Sequence, residues 1–320
     1  MTDLSIVIVS YNTKKLLNSC LLSYNTKKLL NSCLFSVFQN TVGLDYEIIV
    51  VDNASSDGSV KLLLRLAKKG TNLKPIFNRA NVGFGKANNQ GIKKAIGKYI
   101  LFLNSDTLIK DNILGEMVRW MEEHPEVGAA TCALKNKDGS LQGTGGYFPN
   151  LLRVLTWMFF IDDIPYLDLL IKPFHPMHSS SPFYKNVGHF KKTKEVDWIT
   201  GAFILARAEA LNKIGGFDEG YFMYTEDVDL CYRIKKLGWK IWYLPNWSII
   251  HLGGSSSNKE YPLIKEYEGI KIFYRKHKQN WQYPILRILL KVGALGRVVL
   301  FGVMKGKEAA IIYAKAYKVA

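Results

Sequence analysis

Four short, largely apolar runs set the frame for this chain: residues 4–10, 46–51, 73–77 and 99–103. Their Val, Ile and Leu residues do not alternate with polar ones, which is the pattern of strands buried on both faces. Stretches with helical spacing separate them, at 60–68, 84–96 and 112–123. Buried strands alternating with helices make a parallel α/β sheet, because each parallel crossover needs a helix-length connection. Such a sheet binds ligands beyond the carboxyl ends of its strands, and polar and glycine-rich residues crowd those ends here. The 320 residues, 48% of them hydrophobic, suffice for one large α/β domain with additions or for two small domains.

One segment disturbs this order. Ser10 through Leu21 recurs unchanged as Ser23 through Leu34. A single short copy is not a solenoid, and it shifts the helical phase by about 140°. Leu29, Leu30, Cys33, Leu34, Val37 and Phe38 form an apolar stripe, so the second copy is expected to supply the packed helix. The first copy follows the strand directly and places Ser10, Tyr11 and Asn12 at its ligand end. The extra turns would lengthen the helix or bulge outward.

Two further regions stand outside the alternation. Residues 151–194 hold Trp157, Phe159 and Phe160, then Pro173-Phe174-His175-Pro176, serines and a basic stretch. They read as an apolar, flexible insertion: a lid on an acceptor site, a membrane contact, or a surface excursion. Beyond Pro284, apolar residues are interrupted by Arg287, Lys291 and Arg297. These charges disfavour a membrane span. An interfacial helix on an anionic leaflet and a basic amphipathic helix packed on the domain both fit.

The formal net charge of +16 suits an anionic partner. Nucleic acid is the weaker choice, since no zinc-finger spacing, RNP-type motif or arginine-rich arm is present. Cys20, Cys33, Cys132 and Cys231 form no C-x-x-C pair, which argues against a disulfide framework and fits a reducing cytosol. No basic region precedes an apolar core at the N-terminus, so no secretory signal is visible.

Between Gly215 and Arg233 stand five carboxylates: Asp218, Glu219, Glu226, Asp227 and Asp229. Like charges repel, and a basic chain concentrates them where they hold a cation or take a proton. An acidic helix start is the alternative, because carboxylates favour the positive end of a helix. Other candidates lie at strand ends. In Asp52-Asn53-Ala54-Ser55-Ser56-Asp57-Gly58-Ser59, Asp52 can meet a ribose hydroxyl or base edge, while Ser56 or Asp57 can cap the next helix. From Asn81 to Gly91, Asn81, Gly83 and Lys86 open a helix whose glycines permit close approach to a diphosphate. Leu103-Asn104-Ser105-Asp106 ends the fourth run, and Asp106 is placed either to hold a hard divalent cation or to close a turn. His251 precedes a glycine turn that could leave its ring free for a metal.

In this order, D-N-x-S-x-D-G-S, N-x-G-F-G-x-A-x-N-x-G, L-N-S-D, D-W-x-x-G-A, G-G-F-D-E, E-D-V-D-L-C-x-R and H-x-G-G-x-S resemble glycosyltransferase family 2, in its rhamnosyltransferase-like bacterial branch. The resemblance runs from Ser5 to about Ser256. It implies a glycosyltransferase A (GT-A) fold over residues 1–256, with 257–320 as a helical basic extension, and an inverting reaction. By resemblance, Asp52 contacts the nucleoside of the donor, with Ser10, Tyr11, Asn12, Asn53, Ser56, Asn81, Gly83, Lys86 and Asn104 around it. Asp106 and His251 would hold Mg²⁺ or Mn²⁺ on the donor diphosphate. Asp227 matches the general base and Glu226 helps place the acceptor. Trp198, Gly201 and Ala202 would line the sugar and acceptor pocket, and Arg233 would steady the acidic cluster or face a phosphate. Asn104 and Asp106 stand where many relatives carry D-x-D, which lowers the expected metal affinity.

The implied enzyme moves a sugar from a nucleotide-sugar donor to a lipid-linked or growing cell-surface glycan, at the cytoplasmic face of an anionic membrane. dTDP-L-rhamnose is the favoured donor by resemblance alone. UDP-galactofuranose, UDP-N-acetylglucosamine and an inactive nucleotide-binding scaffold are the alternatives.

Overall fold

The computed structural model describes residues 2–12, 29–164, 166–177, 187–253 and 260–320. The four apolar runs form strands β1 (Leu4–Ser10), β2 (Tyr46–Asp52), β3 (Leu73–Phe77) and β4 (Tyr99–Leu103). β1 pairs in parallel with both β2 and β4, and β2 with β3, which brings Ser10 opposite Asp52 at one sheet edge. The chain continues through β5 (Thr107–Leu108), β6 (Val127–Lys135), β7 (Gly145–Gly146), β8 (Lys194–Val196), β9 (Trp198–Ile199), β10 (Phe203–Arg207) and β11 (Lys240–His251). The large sheet runs β3-β2-β1-β4-β10-β6-β11-β5, with β8 beside β11, while β7 and β9 pair separately. β10 is antiparallel to β4 and β6, so the sheet is mixed as the GT-A expectation requires.

This antiparallel strand shapes the ligand edge. The start of β10 meets the end of β4, with Phe203 opposite Leu103, and Asn104 N donates to Ala202 O at 3.0 Å. β11 returns antiparallel to β5, with His251 opposite Thr107, and Leu252 N donates to Asp106 O. Residues about 150 positions apart in sequence therefore share one cleft wall.

Helices α1 (Leu29–Asn40), α2 (Ser59–Ala67), α3 (Phe84–Ile92) and α4 (Ile113–Glu123) cover the sheet. The apolar stripe of the second copy is the buried face of α1: Leu29, Leu30, Cys33, Leu34 and Val37 are all in the core. The turns expected to extend or bulge from the first copy, beyond Asn12, lie outside the described residues. α3 ends earlier than the expected residue 96. The backbone N–H groups of Ile96 and Gly97 turn to Ser5 Oγ, and Ile96 N also donates to Glu47. A Cβ on Gly97 would come within 2.5 Å of Ser5 N, so the turn into β4 leaves no room for a side chain.

Residues 151–177 pack far more deeply than a surface excursion. They form α5 (Leu151–Met158), a single 3₁₀ turn and α6 (Leu167–Ile171). Trp157 and Phe174 are buried in the main core, where a side chain of that size contributes about 1.5–3 kcal/mol. The serines of this region, at 179–181, lie outside the described residues. Helices α7 (Ala208–Ile214) and α8 (Glu226–Lys236) flank the sheet, and α9 (Glu260–His277), α10 (Gln282–Lys305) and α11 (Lys307–Val319) follow. The basic tail is thus three helices, with α10 burying Leu286, Leu290, Gly293, Ala294, Arg297 and Phe301 as it packs on α11, α5 and α9. Among the described residues, no helix is long and apolar enough to cross a membrane.

Candidate active site

A cleft of about 1000 Å³ opens at the carboxyl ends of β1 and β4. Its walls include Tyr11, Asn12, Asn53, Asn81, Gly83, Asn104, Asp106, Trp198, Gly201, Ala202, Glu226, Asp227 and His251. Thirteen of the residues singled out in the sequence therefore converge on one cavity.

The acidic segment divides into two groups. Three carboxylates are neutralised: Asp218 by Lys276, Glu219 by Lys86 at 3.6 Å, and Asp229 by Arg233 at 2.7 Å and His277 at 2.6 Å. Glu226 and Asp227 border the cleft instead, and neither forms an ion pair among the described residues. Burial pushes the Glu226 carboxyl well above its ordinary value, and the adjacent Asp227 charge adds to this. Burial also raises Asp227, although the N–H groups of Gly201 and Val228 donate to its two oxygens at 2.9 and 2.8 Å and work in the opposite direction. Glu226 Oε2 is buried with no hydrogen-bond partner. Such an orphaned acceptor has capacity for a ligand hydroxyl.

Backbone strain sets this pair in place. Tyr224 and Thr225 both adopt left-handed conformations, with φ of 69° and 70°. Two successive non-glycine residues in that region cost of order 1–3 kcal/mol each and persist only where surroundings enforce them. Here α9 closes on the turn at Gly269, where a Cβ would lie 2.6 Å from Thr225 Cβ. Gly201 is constrained in turn by the Phe84 ring, 3.0 Å from where its Cβ would stand.

In the same cleft, His251 Nε2 lies 3.4 Å from Asp106 Oδ1 and 3.4 Å from Asn104 Nδ2. The ring is oriented by Gln142. Its amide nitrogen donates to His251 O and to Asn136 Oδ1, so its oxygen faces His251 Nδ1 at 2.8 Å. Nδ1 therefore donates to Gln142, and Nε2 is directed toward the Asp106 carboxylate. An oriented imidazole nitrogen 3.4 Å from a carboxylate oxygen is a donor set that fits Mg²⁺ or Mn²⁺. No cluster of three or more His, Cys, Asp or Glu ligands exists among the described residues, so the remaining ligands would come from water and substrate. Gly253 lets the ring fold back: a Cβ there would sit 2.6 Å from His251 Cε1.

Several sequence candidates do other work. Arg233 is not among the residues lining the cleft; it is held by Asp229 and by the carbonyls of Ile214 and Gly216 and so steadies the acidic segment. Lys86 is also outside, half-exposed against Glu219. Gly83 borders the cleft, yet its φ of 88° and the Phe222 carbonyl, 2.6 Å from a hypothetical Cβ, account for the glycine without a diphosphate. Asn53 and Asn81 bond to each other and to Gly83, forming a polar frame for the loop. Ser56 donates through N and Oγ to Asn12 Oδ1, which fixes Asn12 in its left-handed conformation. Ser10 and Asp52 are buried at their strand ends. Asp52 Oδ1 accepts from Ser55 N, whereas Oδ2 has no hydrogen-bond partner.

His175 and Glu266 also line the cleft, 2.7 Å apart, and went unremarked as site residues. Their sequence contexts, a Pro-flanked loop and an ordinary amphipathic helix, carry no signal for this meeting. Asn89 was missed as well. Its side chain bonds N and O of Phe217 and so anchors the acidic segment to α3.

A mixed GT-A sheet with acidic and histidine side chains lining a cleft at its ligand edge is the arrangement expected of a glycosyltransferase. Residues 5–215 match the family model Glycosyl transferase family 2, and the chain belongs to that family. It is 24% identical over 257 residues to N-acetylglucosaminyl-diphospho-decaprenol L-rhamnosyltransferase of Mycobacterium tuberculosis, covering 76% of this chain and 79% of that protein. It is 29% identical over 220 residues to Rhamnosyltransferase WbbL of Escherichia coli, covering 64% of this chain and 72% of WbbL. Among solved structures, the mannosyltransferase PcManGT of Pyrobaculum calidifontis, in complex with GDP-Man and Mn²⁺, shares the fold with a TM-score of 0.57 and 16% identity over 99% of this chain and 80% of that one.

Proposed function

We propose that the protein is an inverting glycosyltransferase that passes a sugar, L-rhamnose from dTDP-L-rhamnose by preference, to a hydroxyl of a lipid-linked or growing cell-surface glycan at the cytoplasmic face of a membrane. The observation that carries this reading is the pair Glu226 and Asp227, the two carboxylates of their segment that lack cationic partners and border the cleft. The rhamnosyl donor and lipid-linked acceptor are supported by the names of the two rhamnosyltransferase relatives.

A sugar hydroxyl is a poor nucleophile until a base takes its proton during attack. Asp227 is that base. Its carboxylate is oriented by two backbone N–H groups, and burial raises its proton affinity, which makes it a stronger base. Glu226, with one oxygen free of partners, receives a second acceptor hydroxyl and positions the first. Asp52, Tyr11 and Asn12 meet the nucleoside side of the donor. Asp106 and His251 would hold Mg²⁺ or Mn²⁺, which when bound neutralises charge on the departing nucleoside diphosphate. The mannosyltransferase neighbour contains Mn²⁺ with its nucleotide sugar, which is consistent with this donor set. Trp198, Gly201 and Ala202 shape the space between the two walls, where the transferred sugar would lie.

A thermal-shift panel of nucleotide sugars, with and without Mn²⁺, tests the reading. A ligand that binds only the folded chain raises its melting temperature. We expect the largest shift with dTDP-L-rhamnose plus Mn²⁺. A panel without any nucleotide-sugar response would overturn the enzymatic reading, and a larger response to a UDP-sugar would reassign the donor.

A further inference from the structure

Helix α10 has two apolar sides, and only one is used by the fold. Opposite its buried face, Ile288, Val292, Leu295, Val299 and Val303 are between 49% and 84% exposed. At about 100° per residue the five fall within an arc of about 80°, as a continuous stripe about 22 Å long. Trp281, just before the helix, is exposed as well. Single exposed aliphatic residues are ordinary, but a stripe of this length marks a surface that is covered in use.

The charges around the stripe indicate what covers it. Residues 282–319 contain Arg287, Lys291, Arg297, Lys305, Lys307, Lys315 and Lys318 against a single acid, Glu308. Arg297 is buried, with its guanidinium donating to Trp157 O and stacked on Trp157 and Phe160; the other cations are at least partly exposed. An apolar stripe bordered by cations is complementary to acyl chains beneath anionic headgroups. It is poorly suited to a second copy of this chain, because two such faces would bring like charges together.

The stripe also lies close behind the cleft. α10 rests on α5 at Gly293, where a Cβ would meet Met158, and the neighbouring Trp157 contacts Phe174 and His175. Both of these line the cavity on the side of Glu226 and Asp227. One aromatic layer separates the outer helix from the wall that would receive the acceptor.

We propose that α10 is a membrane-docking helix that lies in the plane of an anionic bilayer, its outer stripe among the acyl chains and its flanking Arg and Lys side chains at the headgroup phosphates. Docking in this way presents the acceptor side of the cleft to lipid-carried substrates. That purpose rests on the proposed function, whereas docking itself does not.

The test is flotation of the full chain with vesicles of equal parts phosphatidylglycerol and phosphatidylethanolamine, and with vesicles of phosphatidylcholine alone. The wild-type chain should float with the anionic vesicles and much less with the neutral ones. The triple substitution Ile288→Gln, Val292→Gln, Val299→Gln should lower partitioning by about tenfold or more while leaving the melting temperature unchanged, since these side chains touch no core. A separate Arg287→Gln, Lys305→Gln, Lys307→Gln chain should lose the preference for anionic lipid. No flotation, or flotation unaffected by both sets, would overturn the proposal. So would a dimer in sedimentation that the Gln substitutions dissolve, which would assign the stripe to a second copy. A chain that floats but binds no nucleotide sugar would retain the docking surface and lose the enzymatic reading; one that binds nucleotide sugar but never floats would do the reverse.

Discussion

Asp227 and Glu226 sit side by side in sequence with three carboxylates that the fold neutralises, and this difference in surroundings is what distinguishes them. Because burial raises Asp227, its ionised form is lost at a pH above the usual carboxylate range of about 4. The sign follows directly: a base works when deprotonated, so turnover should rise with pH through a midpoint clearly above that range and fall below it, as measured by a kcat/KM profile at saturating metal. At the proposed metal ligands, Gln142 acts only through His251. Gln142→Leu removes the acceptor that fixes the ring, and Mn²⁺ affinity should fall by about 10–100-fold with donor affinity in metal-free buffer unchanged. Titration calorimetry with Mn²⁺ checks this; an unchanged affinity would mean that the ring holds its orientation without Gln142.

At the scale of elements, the placement of Glu226 and Asp227 depends on a strained turn clamped by α9. Gly269→Ala places a methyl group against Thr225 and should displace Glu226 and Asp227. We expect at least about a tenfold loss of kcat with far-ultraviolet circular dichroism retained, because a misplacement of about 1 Å can cost up to 10²-fold. The buried strands and the helices between them were legible because burial on both faces leaves an unbroken apolar signature. The buried stripe of α1 was legible in the second copy because its apolar residues recur at helical spacing. The partnership of Asp106 with His251 was legible only through resemblance, since it depends on β5 pairing with β11. For Arg233 and Lys86 the local pattern left open whether the cation faces a ligand or a carboxylate on its own framework; Arg233 lies against Asp229 and Lys86 against Glu219. His175 and Glu266 were invisible because a loop and a helix far apart in the chain bring them together.

At the scale of the whole molecule, residues 151–177 and the C-terminal helices form one packed wall behind the cleft. Asp162 is buried in that wall with Oδ2 lacking a hydrogen-bond partner, and burial pushes its carboxyl up to about 7, with Asp163 adding to the effect. A carboxyl that binds its proton more tightly when folded loses stability as pH rises from about 4 toward about 7, and the loss is complete above that. Asp162→Asn should therefore stabilise the protein by roughly 1–3 kcal/mol at about pH 8, with the gain disappearing near about pH 4, as read by denaturant melts at both values. The proposed reaction gives the two groups of cleft residues separable jobs: Asp106 and His251 with the donor, Asp227 and Glu226 with the acceptor. The most direct measurement is nucleotide-sugar binding and sugar transfer by Asp227→Asn, side by side with wild type. The account predicts donor affinity within about twofold and transfer reduced by about 10²–10⁴-fold; transfer at the wild-type rate, or loss of donor binding in step with transfer, would contradict it.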